Sequence, residues 1–321
     1  MIKWIKRIAV VLVLLIAIAL GYLTLALPNV GKPDDLKIEA TPEVIARGAY
    51  LANHVSVCID CHSKRDWSKF SGPPVEGTEG MGGDAFTKEF GFPGSFYAKN
   101  ITPAGVGKWT DGELLRAISC GVNRDNKAFF PVMPYPYYAH MDKEDIIAII
   151  AYIRTLKPIQ NEVPPSEPEF PMSIILNTIP QKASFTKRPE KAANAIYGAY
   201  VVNAAGCSEC HTNAIKGKKV EGMDFAGGRE FNLPGKTIVS SNITPDKETG
   251  IGYWTEEAFV SKFKSFEAKS TLADIKSPSD FQTMMPWSMY AGMDSVDLKA
   301  IYAYLQALKP IKNKVVKNLN G

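Results

Sequence analysis

Cys58-Ile59-Asp60-Cys61-His62 and Cys207-Ser208-Glu209-Cys210-His211 decide how this chain reads. Each is a spaced pair of cysteines with a histidine directly after the second. Together they use four of the five cysteines and two of the four histidines. Outward from each pair the same landmarks return in the same order. Gly48-Ala49-Tyr50 precedes the first pair. After it come Asn100-Ile101-Thr102-Pro103, Trp109-Thr110, Met133-Pro134, Ala151-Tyr152 and Leu156-Lys157-Pro158-Ile159. Gly198-Ala199-Tyr200 precedes the second. Asn242-Ile243-Thr244-Pro245, Trp254-Thr255, Met285-Pro286, Ala303-Tyr304 and Leu308-Lys309-Pro310-Ile311 follow. The offset stays between 142 and 152 residues. Two long copies in one order are a duplicated domain, not a solenoid.

The landmarks divide the chain into 1–27, an apolar N-terminal segment; 28–40, a linker; 41–158, the first copy; 159–190, a connector; and 191–321, the second copy. Each copy is expected to open and close with a helix. Thr41-Pro42-Glu43 supplies an N-cap, a first-turn proline and a first-turn acid. Asp142 and Asp294 precede runs with one apolar face: Ile146, Ile149, Ile150, Ile153 and Leu156 in one, Leu298, Ile301, Tyr304, Leu305 and Leu308 in the other. Pro158 and Pro310 stop them. Thr110-Asp111-Gly112-Glu113 and Thr255-Glu256-Glu257 read as capped starts of further helices. Gly72 to Gly94 and Gly222 to Gly235 read as loops, with a small hairpin before each Asn-Ile-Thr-Pro. The connector is rich in proline and expected to run extended. Phe170, Met172, Ile174, Ile175, Leu176 and Ile179 are too apolar for a free tether, so it is expected to pack across both copies and hold their orientation. The fold class is mainly α.

The chain has 321 residues, 45% hydrophobic and 22% charged, which excludes a disordered chain, a disulfide mini-scaffold and a multi-span membrane protein. With 37 basic against 33 acidic residues and no long basic run, nucleic acid is not an expected partner. Ile8 to Leu27 form an apolar run long enough to cross a bilayer, about 30 Å at 1.5 Å per residue. Lys3, Lys6 and Arg7 lie before it, so the N-terminus is expected in the cytoplasm and the rest outside. The run exceeds a signal-peptide core and its best cleavage site, Thr24-Leu25-Ala26, is weak; an uncleaved anchor is favoured over a cleaved signal.

Small helical copies with so much loop need a large apolar object to pack around. Cys-x-x-Cys-His is the attachment motif for c-type haem: two thiols reach the two vinyl groups and the histidine sits under the iron. Two covalently attached haem c are expected, with His62 and His211 as axial ligands and Cys58, Cys61, Cys207 and Cys210 as attachment points. Zinc would need two further ligands at each pair, and His54, His140 and Cys120 are too few to supply them. The second axial ligand is assigned to Met133 and Met285. Each precedes proline and an aromatic residue at the same distance from the closing helix, and thioether ligation favours Fe(II). Repeat matching selects Met285 over Met284. His54 is read as a surface or propionate-side residue, His140 as structural and Cys120 as a buried thiol. Asn100, Thr102 and Trp109, with Asn242, Thr244 and Trp254, are read either as donors to haem propionates or as a shared turn motif.

On these residues both copies, nearly everything from 41 to 311, resemble class I c-type cytochrome domains. The combination of Asn-Ile-Thr-Pro, Gly-x-Trp-Thr and Met-Pro-Tyr or Met-Pro-Trp is similar to that in the cytochrome c subunits of membrane-bound alcohol and sugar dehydrogenases and in related diheme cytochromes. The resemblance implies crossed N- and C-terminal helices, with Gly48 against Tyr152 and Gly198 against Tyr304. It also implies electron transfer from a quinone- or flavin-bearing partner toward quinone or a terminal oxidase; the expected partners are a dehydrogenase or respiratory complex, and a terminal oxidase or another cytochrome. The chain departs from the dehydrogenase subunits, which usually carry three haems and a C-terminal membrane attachment. The expected function is thus a membrane-anchored diheme electron carrier and not an enzyme, in a bacterial inner membrane with its haem domains facing the periplasm. A diheme peroxidase with one open iron is the alternative, disfavoured by the matched methionines; a haem sensor ranks below it.

Overall fold

The computed structural model describes residues 1–233, 236–268, 272–277, 280–316 and the backbone of 318–319. An apolar helix, α1 (Ile2–Gly21), continues through a wider π turn at Tyr22–Ala26. None of its membrane-length window is buried. Residues 28–40 are not a free linker. Val30 is buried, Ile38 N–H donates to Asp111 at 3.1 Å, Arg116 donates to the Gly31 carbonyl at 3.3 Å and Lys143 pairs with Asp34 at 2.7 Å, all on the first copy.

The first copy opens with α2 (Pro42–Tyr50), capped by Thr41, whose hydroxyl accepts from Val44 N–H. A short α3 (Cys58–Cys61) carries the first cysteine pair. The strands β1 (Ala85–Phe86) and β2 (Gly94–Tyr97) pair antiparallel before Asn100. There follow α4 (Pro103–Val106), α5 (Asp111–Cys120), α6 (Tyr135–Tyr138) and α7 (Lys143–Thr155). Thr110 and Glu113 close a reciprocal capping box on α5, and Asp142 caps α7. In the connector β3 (Glu167–Pro168) pairs with β2, and α8 (Met172–Ile175) follows.

The second copy keeps the main order, without a counterpart of α4 among the described residues and with one added hairpin. It has α9 (Ala195–Ala204), α10 (Cys207–His211) and the small hairpin of β4 (Ala214–Ile215) and β5 (Lys218–Lys219). Then come β6 (Glu230–Leu233) and β7 (Lys236–Val239), α11 (Glu256–Lys264) capped by Thr255, α12 (Trp287–Tyr290) and α13 (Ser295–Gln306) capped by Asp294. A last strand, β8 (Asn318–Leu319), pairs with β7.

In each copy the opening and closing helices cross at a glycine. A Cβ on Gly48 would stand 1.8 Å from the Ala148 carbonyl oxygen, and one on Gly198 2.0 Å from that of Ala300 and 2.9 Å from Tyr304 Cβ. The partner of Gly198 is thus close to expectation. That of Gly48 is the α7 backbone at Ala148, one turn before Tyr152. Tyr152 uses its hydroxyl to accept from Asn53 at 3.0 Å.

The connector departs from expectation in its footing. Lys99 donates to the Pro164 carbonyl, Tyr97 N–H to Ser166, Ser184 N–H to the Ala139 carbonyl and Thr186 N–H to the Met141 carbonyl, which ties it to the first copy. Only Leu176 and Pro180 of 170–180 are buried. The copies are joined by direct contacts with an approximate two-fold relation. Tyr50 OH donates to Asp297 at 2.6 Å and accepts from Asp294 N–H at 3.1 Å. Tyr200 OH donates to Asp145 at 2.6 Å and accepts from Asp142 N–H at 3.1 Å. His54, expected at the surface or beside a propionate, lies in this junction, its Nδ1 3.0 Å from the Met289 carbonyl. One continuous buried core, from Leu51 and Ile149 to Tyr197 and Leu305, runs through both copies.

Candidate functional site

Each cysteine pair starts from a left-handed residue, Val57 (φ 45°) or Gly206 (φ 64°). Glycine takes that conformation freely, whereas a β-branched valine there stores strain, the kind that clusters at functional sites. All four cysteines, both histidines and both Met-Pro methionines line one connected cavity of about 3090 Å³. Ordinary small-molecule pockets hold roughly 300–1,000 Å³, and this space is larger. Four further pairs on its walls match between copies: Ile101 and Ile243, Trp109 and Trp254, Tyr138 and Tyr290, Ile149 and Ile301. The two tyrosines are buried, and each donates to a carbonyl just before its cysteine pair, at Ser56 (3.0 Å) and Ala205 (2.7 Å).

Both histidines are held alike. His62 Nδ1 lies 2.6 Å from the Lys99 carbonyl oxygen and His211 Nδ1 2.7 Å from that of Ser241. A carbonyl only accepts, so Nδ1 carries the proton and Nε2 is left as the free electron pair, the arrangement of an orienting partner behind a ligating imidazole. Burial lowers both histidine pKa values, partly opposed by the carbonyl bond, which keeps the rings neutral and fit to ligate. Burial also pushes the Cys58 and Cys207 thiols up to about 12. Redox-active Cys-x-x-Cys pairs have lowered thiol pKa values; these are raised.

The carbonyls that orient the histidines belong to residues directly before Asn100 and Asn242. Asn100 Oδ1 accepts from Thr102 N–H at 3.0 Å and from its hydroxyl at 2.7 Å, while Asn100 Nδ2 donates to the Ile159 carbonyl at 2.8 Å. Asn242 does the same with Thr244 and Ile311, at 2.9, 2.7 and 2.8 Å. The side-chain polar atoms of Asn100, Thr102, Asn242 and Thr244 are therefore engaged within the protein, which favours the turn motif for these four, while Trp109 and Trp254 line the cavity. The motif ties the loop behind each histidine to the chain just past each closing helix. Gly82 (φ 73°) and Gly227 (φ 72°) fit under the same loop, where a Cβ would come within 2.5 Å of backbone atoms, and their N–H groups donate to the His62 and His211 carbonyls. The repeat of these glycines carried the only sequence signal for that role.

Met133 and Met285 are half-buried on the cavity wall. Met284 lines it as well, so repeat matching alone separates the neighbours. His140 is exposed, and Cys120 is buried in a small separate cluster with Val30 and Val122. Among the described residues no three His, Cys, Asp or Glu side chains are grouped to hold a metal ion. The donor set fits covalent haem: two unpaired cysteines beside an oriented neutral imidazole, a thioether and an apolar cavity.

Residues 195–309 match the family model for cytochrome c. This segment is thus a cytochrome c domain, of the kind that binds haem c covalently. It is 28% identical over 289 residues, 85% of its length, to the cytochrome c subunit of a quinone alcohol dehydrogenase from Gluconacetobacter polyoxogenes, covering 58% of that protein. It is 30% identical over 247 residues, 71% of its length, to the corresponding subunit from Gluconobacter oxydans, covering 48%. To a diheme cytochrome c-type protein from Cereibacter sphaeroides it is 30% identical over 201 residues, 59% of its length, covering 64%. The chain spans about half the length of the relatives it matches first.

Proposed function

We propose that this chain is a membrane-anchored diheme electron carrier built from two tandem class I cytochrome c domains, 41–158 and 191–321. The first domain would hold its haem by Cys58 and Cys61 with His62 and Met133 as axial ligands. The second would use Cys207, Cys210, His211 and Met285. The observation that carries this reading is the matched pair of histidines, each oriented by a carbonyl before Asn-Ile-Thr-Pro, facing one shared cavity. Bound haem supplies the one-electron chemistry. The chain's own residues then do four things. Lys99 and Ser241 fix the imidazole tautomers, the methionines present a thioether that favours the reduced metal, the apolar walls exclude water, and the inter-copy contacts hold both sites at one separation.

Electrons are proposed to enter from a dehydrogenase or respiratory complex and leave to a terminal oxidase or another cytochrome. The cytochrome c subunits of quinone alcohol dehydrogenases among the relatives support a dehydrogenase as donor. The Ile2–Ala26 segment serves as a retained single-pass anchor in a bacterial inner membrane, with Lys3, Lys6 and Arg7 in the cytoplasm and the haem domains in the periplasm. Retention is favoured because the end of this helix is part of the fold: Asn177 donates to the Leu23 carbonyl at 3.1 Å. Met133 and Met285 on the cavity wall weigh against an open peroxidase iron.

The test is optical spectroscopy of the matured full chain, oxidised and reduced, with and without carbon monoxide. Two haems per chain, a methionine–iron charge-transfer band and no carbon monoxide binding are expected. Carbon monoxide binding by the native reduced protein would overturn the carrier reading.

A further inference from the structure

The loop 66–72 of the first copy crosses to the second copy and grips the segment that carries Met285. Ser71 is fully buried and left-handed (φ 70°). Its N–H donates to Gln282 Oε1 at 2.7 Å and its hydroxyl donates to the Met285 carbonyl at 2.6 Å. Trp287 N–H is shared between Ser71 Oγ at 3.0 Å and the Met285 carbonyl at 2.8 Å. Gln282, itself buried, returns a bond from Nε2 to the Lys69 carbonyl at 2.9 Å. On either side Phe70 N–H donates to the Ala273 carbonyl, Ile275 N–H donates to that of Ser68, and Phe70 stacks between Phe266 and Phe281. The second copy has the β4–β5 hairpin at the matching place. That hairpin meets the first copy through Lys219 at Tyr137, four residues past Met133. The Met133 carbonyl accepts from Tyr135 N–H within its own copy. The two methionines, alike in sequence context, therefore differ in what holds their backbone.

We propose that Ser71 is a positioning residue for Met285, so that the first copy holds the iron site of the second copy closed and sets its potential. This rests on the assignment of Met285 as an axial ligand. Removing the hydroxyl leaves a buried carbonyl with one donor fewer and frees the Met285–Trp287 turn from the first copy. The thioether then spends more time off the metal, and a site with less thioether ligation has a lower potential.

The experiment compares Ser71→Gly, Ser71→Ala, Gln282→Leu and Met285→Ala in the full, matured chain. Glycine accepts the left-handed backbone, so Ser71→Gly removes the hydroxyl without adding strain. The readouts are the methionine–iron charge-transfer band, carbon monoxide binding per chain, and the two reduction potentials separately. The expected result is a weaker band and carbon monoxide binding at one of the two irons in the Ser71 and Gln282 variants. The population of open iron rises by about tenfold, as loss of roughly 1.4 kcal/mol of hydrogen bonding gives, the potential of that site falls, and the other potential stays put. Opening of one iron by Met285→Ala with native behaviour in all three other variants would overturn the positioning role alone. So would opening, in the Ser71 or Gln282 variants, of the iron that stays closed in Met285→Ala. Two closed irons in Met285→Ala would overturn the ligand assignment beneath it.

Discussion

The two tyrosine–aspartate contacts between the copies have the same geometry, yet Tyr50→Phe is expected to cost more than Tyr200→Phe. Each change deletes a 2.6 Å bond to a buried carboxylate and the acceptor of a capping-loop N–H. A hydrogen bond to a charged group contributes about 1.5–3 kcal/mol. What differs is the company left behind. Asp145 keeps Arg47, which donates from Nε at 3.0 Å and from a terminal nitrogen at 2.8 Å, and Arg188 at 2.5 Å. Asp297 keeps Lys191 at 3.4 Å and the neighbouring Tyr197. Both carboxylates are 1% exposed. Tyr200→Phe should therefore fall at the low end, about 1.5 kcal/mol. Tyr50→Phe strands a buried charge with weaker partners and should reach about 3 kcal/mol. The difference is roughly tenfold in the unfolding equilibrium. Guanidinium unfolding of both variants, followed by far-ultraviolet circular dichroism in the same buffer, ranks the midpoints. Equal midpoints, or the lower midpoint in Tyr200→Phe, would refute the reasoning that the remaining cations decide the cost.

Burial alone would raise the Asp145 carboxyl pKa, but Arg47, Tyr200 and Arg188 together bring it below the usual carboxylate range. Its stabilisation is complete above the unfolded value near 4 and is lost as pH falls through the folded value. Asp145→Asn should thus lower stability at pH 7 and flatten the decline between about pH 5 and pH 2 in an acid titration. Asn100→Ala removes the side-chain bonds that hold the loop behind His62 and should cost about 1–3 kcal/mol in chemical unfolding, with Asn242→Ala alike. Gly198→Ala gains up to about 1 kcal/mol of helix propensity but places a methyl in the Ala300 carbonyl; a net loss of about 1–3 kcal/mol is expected in the same assay.

Much of this architecture was legible from residues alone. Threonine and aspartate caps, prolines that end helices and apolar spacing are local signals, and α2, α5, α7, α11 and α13 stand where those signals put them. The hairpins before Asn100 and Asn242 are likewise local. Contacts between distant segments were not legible. His54 reads as a surface or propionate-side residue because its partner is a backbone carbonyl at Met289, and carbonyls leave no mark on composition. Ser71 resembled any loop serine for the same reason. The connector misled because proline and apolar content reveal that a segment packs, but not on which body. Asn-Ile-Thr-Pro repeated visibly, yet only geometry could show its polar atoms turned inward.

The reciprocal tyrosine–aspartate contacts carry a consequence for association. A patch in which residue i of one copy meets residue j of the other, and j meets i, is the isologous pattern of a two-fold dimer. Here both partners sit on one polypeptide, so docking is intramolecular and independent of how dilute the protein is. An interface too small to hold free subunits together at low concentration is enough to keep two such bodies in register, and dilution into a large compartment would leave it intact.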